Sequence, residues 1–585
     1  MAMNPALFAK TSPRPARWTV RSVDRVREAA IAAHLGIHPA VARVLAARDW
    51  TESEDDAEFL NPRLASLRDP FELADMQTAV DRTVHAIRHH EKIGVFGDYD
   101  VDGICSTALM LLVLRRLGAE PVHFIPHRVL DGYGMSIERV EELAHAGVRL
   151  LITVDTGITA VDEIRRAHEL GMDVVVTDHH LPEGGLPDAV AIVNPNRPDA
   201  PYDGASLCGT GVAFKFAHAL LKCAGEAAES ARAFLRGLLD LVALATIADV
   251  VPLVGENRIL VHHGLQCLSR TRRPGLRALL AESKLSGTAL NPHHVGFVIG
   301  PRLNAAGRTD HAGTALDLLL TESANEATVL ANKLSALNRQ RRSEEASIVD
   351  DAVAQAESQL ASGLDSILVV AGLDYHLGVV GIVASRLVER FHRPAIVLRI
   401  DPERAKGSAR SIPGFDIHEA LSACAPHLLT FGGHAMAAGL QVAPEHLDDF
   451  RAAINDHARP LFEQRDLSPE ILVDAPIDGT EITWEFYHDL QRLQPFGEQN
   501  AAPLFLLGGA RPVGAPRVVG TNHLKVALRS AGSTFPAIGF RLGHLLTLCE
   551  SQSHSVDVVF RPTENTWQGR TDIQLELQDM RPAAV

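Results

Sequence analysis

At 585 residues the chain exceeds the size of one hydrophobic core, which rarely grows past about 250–300 residues, so several domains are expected. Its 46% hydrophobic and 22% charged content are ordinary for a globular protein, and a net charge of −16 excludes a uniformly basic surface. That balance does not exclude a nucleic-acid partner, because binding depends on a local basic groove and not on the total.

Lys10, Arg14 and Arg17 are not followed by an apolar core, so no signal peptide is expected. The most apolar later stretches are interrupted by charge, as at Asp240 and Asp249, and none is expected to span a membrane. Six cysteines, at 105, 208, 223, 267, 424 and 549, form no CxxC pair, which fits a reducing cytosol and a cytoplasmic protein. Residues 1–75 read as a helical N-terminal extension with Pro breaks and no chemistry of its own.

From residue 76 short apolar runs alternate with helical patterns, which argues a mainly parallel sheet with right-handed crossovers. The run from Ile93 to Gly97 stops in Asp98-Tyr99-Asp100-Val101-Asp102-Gly103, and a buried helix pattern follows. Such a strand–turn–helix places ligands at the carboxyl edge of a sheet. Three carboxylates this close repel one another unless a cation neutralises them, and alternating oxygens suit Mg²⁺, Mn²⁺ or Ca²⁺. An EF-hand needs a Glu at its twelfth position, which counting from Asp98 is Leu109, so that reading fails. A purely structural acidic turn is the other reading of the motif.

Three further sites belong to the same expected edge. Asp155-Thr156-Gly157 ends the strand beginning at Leu150, Asp178-His179-His180 ends the one beginning at Asp173, and Asp249 closes an apolar helix. Singly, each reads as a turn or a cap; together they are expected to converge on one metal site.

Asn325 to about Leu360 contains neither Pro nor Gly and reads as one long connecting helix. A second α/β unit is expected from Ser366 to about residue 460. Beyond a polar join near 459–478, short strand-like runs punctuated by Gly and Pro read as a small β-barrel or sandwich. Gly300 to Arg308 reads as a small-residue loop flanked by Arg302 and Arg308, where a backbone can approach a phosphodiester. Gly407-Ser408-Ala409-Arg410 offers hydroxyls and a guanidinium fork suited to a terminal phosphate. Arg128, after the strand beginning at Val122, is placed to reach the site edge. Gly432, Gly433 and Gly439 permit close approach to phosphates, with His434 a donor. For each arginine the alternative is an ordinary surface salt bridge, and for the glycines a tight turn.

The motifs at 98–103, 155–157, 178–180 and 248–252 together resemble the four ordered motifs of the DHH phosphoesterase family. Thr430 to Gly439 is similar to the glycine-rich signature of its companion DHHA1 domain. Gly300 to Arg308 and Leu493 to Asn500 resemble the RecJ branch, bacterial single-strand-specific 5′→3′ exonucleases of DNA repair and recombination. The resemblance implies an α/β fold: a parallel-sheet DHH domain over 76–325, a connecting helix over 326–360, a smaller α/β DHHA1 domain over 361–460 and a C-terminal OB-like β-barrel over 461–585. It implies a two-metal phosphodiester hydrolase using Mn²⁺ or Mg²⁺, with Asp100, Asp102, Asp155, His179 and Asp249 as ligands and Asp155 bridging. His180 would hydrogen-bond the scissile phosphate, and Asp98 would orient a ligand, a plain turn cap being its alternative. Arg128, Ser408 and Arg410 would recognise the 5′ end. Implied partners are single-stranded DNA, single-strand-binding protein and a RecQ-type helicase, with the enzyme a monomer and no membrane partner. Phe496, Phe535 and Trp567 are candidate stacking platforms, with a core role favoured for each. The rival readings are a DHH phosphodiesterase of short oligoribonucleotides or cyclic dinucleotides, a pyrophosphatase, and an inactive DNA-binding scaffold. The first two need no third domain, and the last would erode the ligands.

Overall fold

The computed structural model describes residues 16–50, 59–127, 134–182, 184–200, 202, 207–309, 311–364, 366–463, 468–550 and 554–583. They form two units: Met1–Asn61 with Leu461–Gln494 and Ala501–Val585, and Pro62–Pro460 with Pro495–Asn500. The N-terminal stretch, read from sequence as wholly helical, opens on strand β1 (Arg17–Val20), which pairs in parallel with Glu470–Val473 of the same unit. Two helices follow, Arg25–Leu35 and Pro39–Ala47. Arg43 on the second is buried and pairs with Glu28 at 2.9 Å and Glu481 at 2.8 Å. Removing one side of such a buried pair typically costs about 3–5 kcal/mol, so residues 16–50 are bonded into the C-terminal unit.

The larger unit contains a five-stranded, all-parallel sheet. Its strands are β2 (Ile93–Gly97), β3 (Val122–Phe124), β4 (Leu150–Val154), β5 (Asp173–Thr177) and β6 (Ala191–Val193), in the order β3-β2-β4-β5-β6. The strands are apolar throughout because both faces are covered, and alternate residues enter different cores. Ile93, Val95, Ile152, Val154 and Val175 join the cluster under the helices Val101–Arg116, Gly209–Cys223 and Ala228–Ala248. Phe96, Leu151, Val174, Val176 and Ile192 join the cluster on the opposite face. The strand order reverses between β2 and β4, the switch point where open α/β sheets form ligand crevices. The acidic turn leaves β2, and Asp155 leaves β4.

A 39-residue helix, Ala324–Ser362, leads on to the second sheet. Ser323 caps its start, accepting from the Glu326 amide, and Gly363 ends it at a φ of 83°. The second sheet runs β10-β11-β9-β8-β7, from β7 (Leu368–Gly372), β8 (Ala395–Ile400), β9 (Ala405–Arg410), β10 (Thr430–His434) and β11 (Ala437–Val442). Only β7 and β8 pair in parallel.

In the smaller unit β12 (Glu470–Val473) and β13 (Ala475–Pro476) precede a closed barrel. Its strands are β14 (Phe505–Val519), β15 (His523–Ser530), β16 (Ser533–Gly539), β17 (Val556–Trp567) and β18 (Arg570–Pro582). The ring closes because β14 pairs with both β15 and β17, while β16 pairs with β15 and β18.

Candidate metal centre and substrate pocket

Four segments converge at the switch point. Asp98, Asp100 and Asp155 offer ligand atoms within 4.8 Å of one another, as do Asp102, His179 and Asp249; a third group joins Asp155, His179 and His180. His179 Nε2 lies 3.1 Å from Asp155 Oδ1, 3.6 Å from Asp249 Oδ2 and 3.7 Å from Asp102 Oδ2. Asp98, expected only to orient a ligand, therefore stands as close to the centre as the residues expected to ligate.

The backbone aims these side chains. Asp100 caps the helix Val101–Arg116, accepting from the amides of Asp102 (2.9 Å) and Gly103 (3.1 Å). Asp102 accepts from the amides of Gly209 and Thr210, both at 2.7 Å, and from Thr210 Oγ1 at 2.6 Å. Those donors form the start of the helix Gly209–Cys223, whose dipole favours an anion there. Asp155 holds a φ of 60°, a left-handed conformation that is uncommon outside glycine and clusters at functional sites. Gly209 is needed for its close approach: a Cβ there would lie 2.5 Å from Asp155 Oδ1. Asp178 accepts from the amides of Ile158, His179 and His180 and from His180 Nδ1 at 2.7 Å, so it sets both histidines. Asn194 and Asn196 hold the histidine carbonyls from behind. The two asparagines, Gly209 and Thr210 were not legible as site residues, because their partners lie far away in sequence and their types are common at turns and helix starts.

Electrostatics make the centre unstable as it stands. Burial first, then the charges of Asp102 and Asp100, hold Asp155 well above the carboxylate range. Burial and the neighbouring Asp102 also raise Asp100. Asp249 is pushed up to about 8 by burial and by Asp102 and Asp100. Burial alone would lower His180, but its hydrogen bond to Asp178 and that carboxylate's charge push it up to about 9. Burial lowers His179. Asp155 Oδ1 and His179 Nε2 are buried without a hydrogen bond. Carboxylates forced together around an unprotonated imidazole, with orphaned ligand atoms, fit a divalent cation of the Mg²⁺ or Mn²⁺ kind.

The segment Gly300–Thr309 is a helix, not the loop expected from its small residues. Its glycine serves packing instead: a Cβ on Gly307 would lie 2.8 Å from the Tyr99 carbonyl in the acidic turn. Asn304 Oδ1 accepts from the Val101 amide at 3.1 Å. Next to Gly307, Arg308 donates to the Gly378 carbonyl at 3.0 Å. This helix thus joins the metal centre to a cavity of about 540 Å³ lined by Arg308, Lys406, Ser408 and Arg410. The last three alternate along β9 and share one face of it. Arg410 donates to Ser408 Oγ at 2.7 Å. Val380 and Gly381, at the start of the helix Val380–Phe391, also line the cavity and add a helix N-terminus beside those donors. A Cβ on Gly381 would lie 3.0 Å from Arg410 Nη2.

The remaining candidates scatter. Arg302 is half-buried on the bridging helix and donates to the Val298 carbonyl at 2.6 Å. Gly432, Gly433 and His434 are exposed on the β10–β11 hairpin, in a strand and not the tight turn beside a helix that was their alternative. The hairpin adjoins β9, with Gly439 opposite Ser408. Arg128 lies outside the described residues. In the smaller unit Phe535 is buried, as favoured, but Trp567 is 72% exposed at the end of β17, against the core role favoured for it. Phe496 is half-buried.

Residues 92–246 match the DHH family, N-terminal domain; 364–459 match the DHHA1 domain; 473–579 match the RecJ OB domain. The single-stranded-DNA-specific exonuclease RecJ of Bacillus subtilis is 41% identical over 574 residues, 96% of this chain and 70% of the relative. The chain belongs to the RecJ family. RecJ of Escherichia coli is 37% identical, covering 87% of this chain and 91% of its own. The crystal structure of Thermus thermophilus RecJ with Mn²⁺ superposes with a TM-score of 0.82 at 32% identity, over 97% of this chain and 80% of the other. A Mg²⁺ complex of the same RecJ gives 0.76 at 29%. The RecJ OB assignment names the closed barrel, and the RecJ architecture accounts for the two sheets linked by the long helix.

Proposed function

We propose that this RecJ-family chain is a single-strand-specific 5′→3′ exodeoxyribonuclease that hydrolyses phosphodiester bonds with two divalent ions, Mn²⁺ or Mg²⁺, in DNA repair and recombination. The observation that carries the reading is the three ligand triads at one switch point, linked through Asp155 and His179, coupled by the helix Gly300–Thr309 to a cavity rich in cations. Asp98, Asp100 and Asp155 would hold one ion; Asp102, Asp155, His179 and Asp249 would hold the other. Such ions supply Lewis-acid charge at the phosphoryl oxygens and a water nucleophile at neutral pH.

The protein's own groups do the positioning. The α-helix start at Gly209–Thr210 keeps Asp102 in place. Asp178 accepts from His180 Nδ1–H and holds that ring protonated at neutral pH, so its Nε2–H is free to donate to the scissile phosphate. Ser408, Arg410 and the first amides of the helix Val380–Phe391 would take the terminal 5′ phosphate, with Arg308, Arg302 and the Gly432–His434 hairpin against the following backbone. Arg128 belongs to this 5′-end set on resemblance alone.

The boundaries expected from sequence, 76–325 for catalysis, 361–460 for end recognition and 461–585 for strand binding, form part of the proposal. So do action as a monomer in the cytoplasm, where its DNA substrate lies, and partners of the single-strand-binding and RecQ-helicase kinds. The test is a Mn²⁺ assay on 5′- and 3′-labelled single strands, duplex and a dinucleotide. Release of label from the 5′ end of single strands is expected; cleavage of the dinucleotide alone would favour the small-substrate phosphodiesterase.

A further inference from the structure

Phe297 has no assigned role, yet it is 74% exposed and lines the same cavity as Arg308, Lys406, Ser408 and Arg410. An exposed phenylalanine standing among cations is a poor folding element, since its ring gains nothing from water. Two local features hold it there. Residues Val295–Ile299 form a π-helical turn, closed by the Gly300 amide donating to the Val295 carbonyl; such turns are rare and concentrate at functional sites. Behind the ring, His293 stacks at a centroid distance of 4.8 Å and an interplanar angle of 26°. The ring is thus backed on one side, and its exposure leaves surface for a second planar group.

We infer that Phe297 is a base-stacking platform for a nucleotide near the 5′ end of the bound strand, whose backbone runs along the Lys406–Ser408–Arg410 face of β9. The occupant follows from the mixture on the cavity wall: guanidinium, ammonium and hydroxyl groups suit phosphates, and one open ring suits a base of any identity, because every base has a π-face. Lys406, exposed on the same strand face as Ser408 and Arg410, supplies charge for an internal phosphate rather than the terminal one. The inference rests on the nuclease reading and adds to it a contact to the base itself. Stacking of this kind tolerates any sequence but requires a base.

The test uses the full-length Mn²⁺-loaded protein and a 5′-phosphorylated single strand carrying 2-aminopurine in turn at each of its first few positions, with phosphorothioate linkages there to slow cleavage. Wild type and F297Y are expected to quench the probe at one position. F297L should lose that quench and bind about tenfold more weakly, the scale of one base–aromatic stack. Its salt dependence should be unchanged, since no phosphate contact is lost; K406Q should instead flatten the salt slope and keep the quench. F297L that quenches and binds like wild type would overturn the platform. Cleavage of the unmodified strand is measured beside it: cleavage with no effect of F297L overturns only this inference, whereas no cleavage by wild type overturns the nuclease reading and this inference with it.

Discussion

The metal centre and the cationic cavity are joined by one ten-residue helix and are built by opposite means. At the centre, like charges are buried together and held by backbone amides; Asp102 alone accepts two of them, Asp155 is strained, and a Cβ at Gly209 would collide. Around the cavity, Lys406, Ser408 and Arg410 stand on one face of a strand, with Arg308 on the neighbouring helix. A buried like-charge cluster stores electrostatic free energy that a bound metal ion or protons must relieve, so geometry there is enforced in advance and errors are expensive. An open cationic face contributes in small, separable increments. The contrast teaches that substitutions at one end should alter the chemical step and at the other the binding of the strand.

The largest effect should come from Asp155→Ala, since its carboxylate belongs to two of the three ligand groupings, one with Asp98 and Asp100 and one with both histidines. Several kcal/mol of charge stabilisation at tenfold per 1.36 kcal/mol gives about a thousandfold loss of kcat or more, with the fold retained by circular dichroism. Near-normal turnover in that variant would break the contrast at its root.

Gly209→Ala should follow, with about 10–100-fold weaker metal binding, because the added methyl displaces a ligand without removing one. Metal titration by calorimetry reads it; an unchanged affinity would show that Asp155 can move aside freely.

Acid should weaken metal binding by up to about tenfold per pH unit below pH 8. Asp249 is raised to about 8 without metal, so below that pH an ion must expel its proton, and above it no further gain is due. The sign for stability is the reverse. A carboxyl whose folded value is raised binds extra protons in the native state, so the metal-free protein loses stability as pH climbs from about 4 toward 8. The increase in Tm on adding Mn²⁺ should therefore widen with pH over that window; a constant increase would show that the carboxylates do not titrate there.

At the cavity end the effects should be smaller and depend on substrate. Arg410→Ala is expected to reduce cleavage of a 5′-phosphorylated strand about tenfold, as for one charge-assisted hydrogen bond, and of a 5′-hydroxyl strand by less. Equal losses on both would assign Arg410 to the internal backbone or to holding Ser408.

How far these ends were legible in the sequence differs for a physical reason. The centre was readable because its chemistry comes from contiguous motifs, Asp98 to Gly103, Asp155 to Gly157 and Asp178 to His180, each at the end of an apolar run whose length and composition already mark a buried strand. Strand ends of one parallel sheet share an edge whatever the intervening loops do, so convergence followed from topology alone. The connecting helix was readable too, since 39 residues without Pro or an internal Gly leave the backbone no reason to break.

Other features depended on contacts between distant segments. Gly209 and Thr210 matter only because their amides meet Asp102, more than a hundred residues away, and no local pattern encodes that. Gly300–Thr309 looks like a loop by composition, but small residues there serve helix packing against the acidic turn, and tertiary packing outweighed propensity. The N-terminal segment was readable as helices but not as part of the C-terminal unit; pairing of β1 with β12 and the buried Arg43–Glu481 contact decided that, so deleting 465–585 alone would strand residues 16–50. Trp567, with an ordinary strand pattern around it, was placed outward by the β17–β18 register. Sequence by itself determined which groups could do chemistry and on which edge of which sheet they stood. Tertiary structure decided what holds them and what faces them, because hydrogen bonds and packing between remote segments are set by the folded positions of both partners.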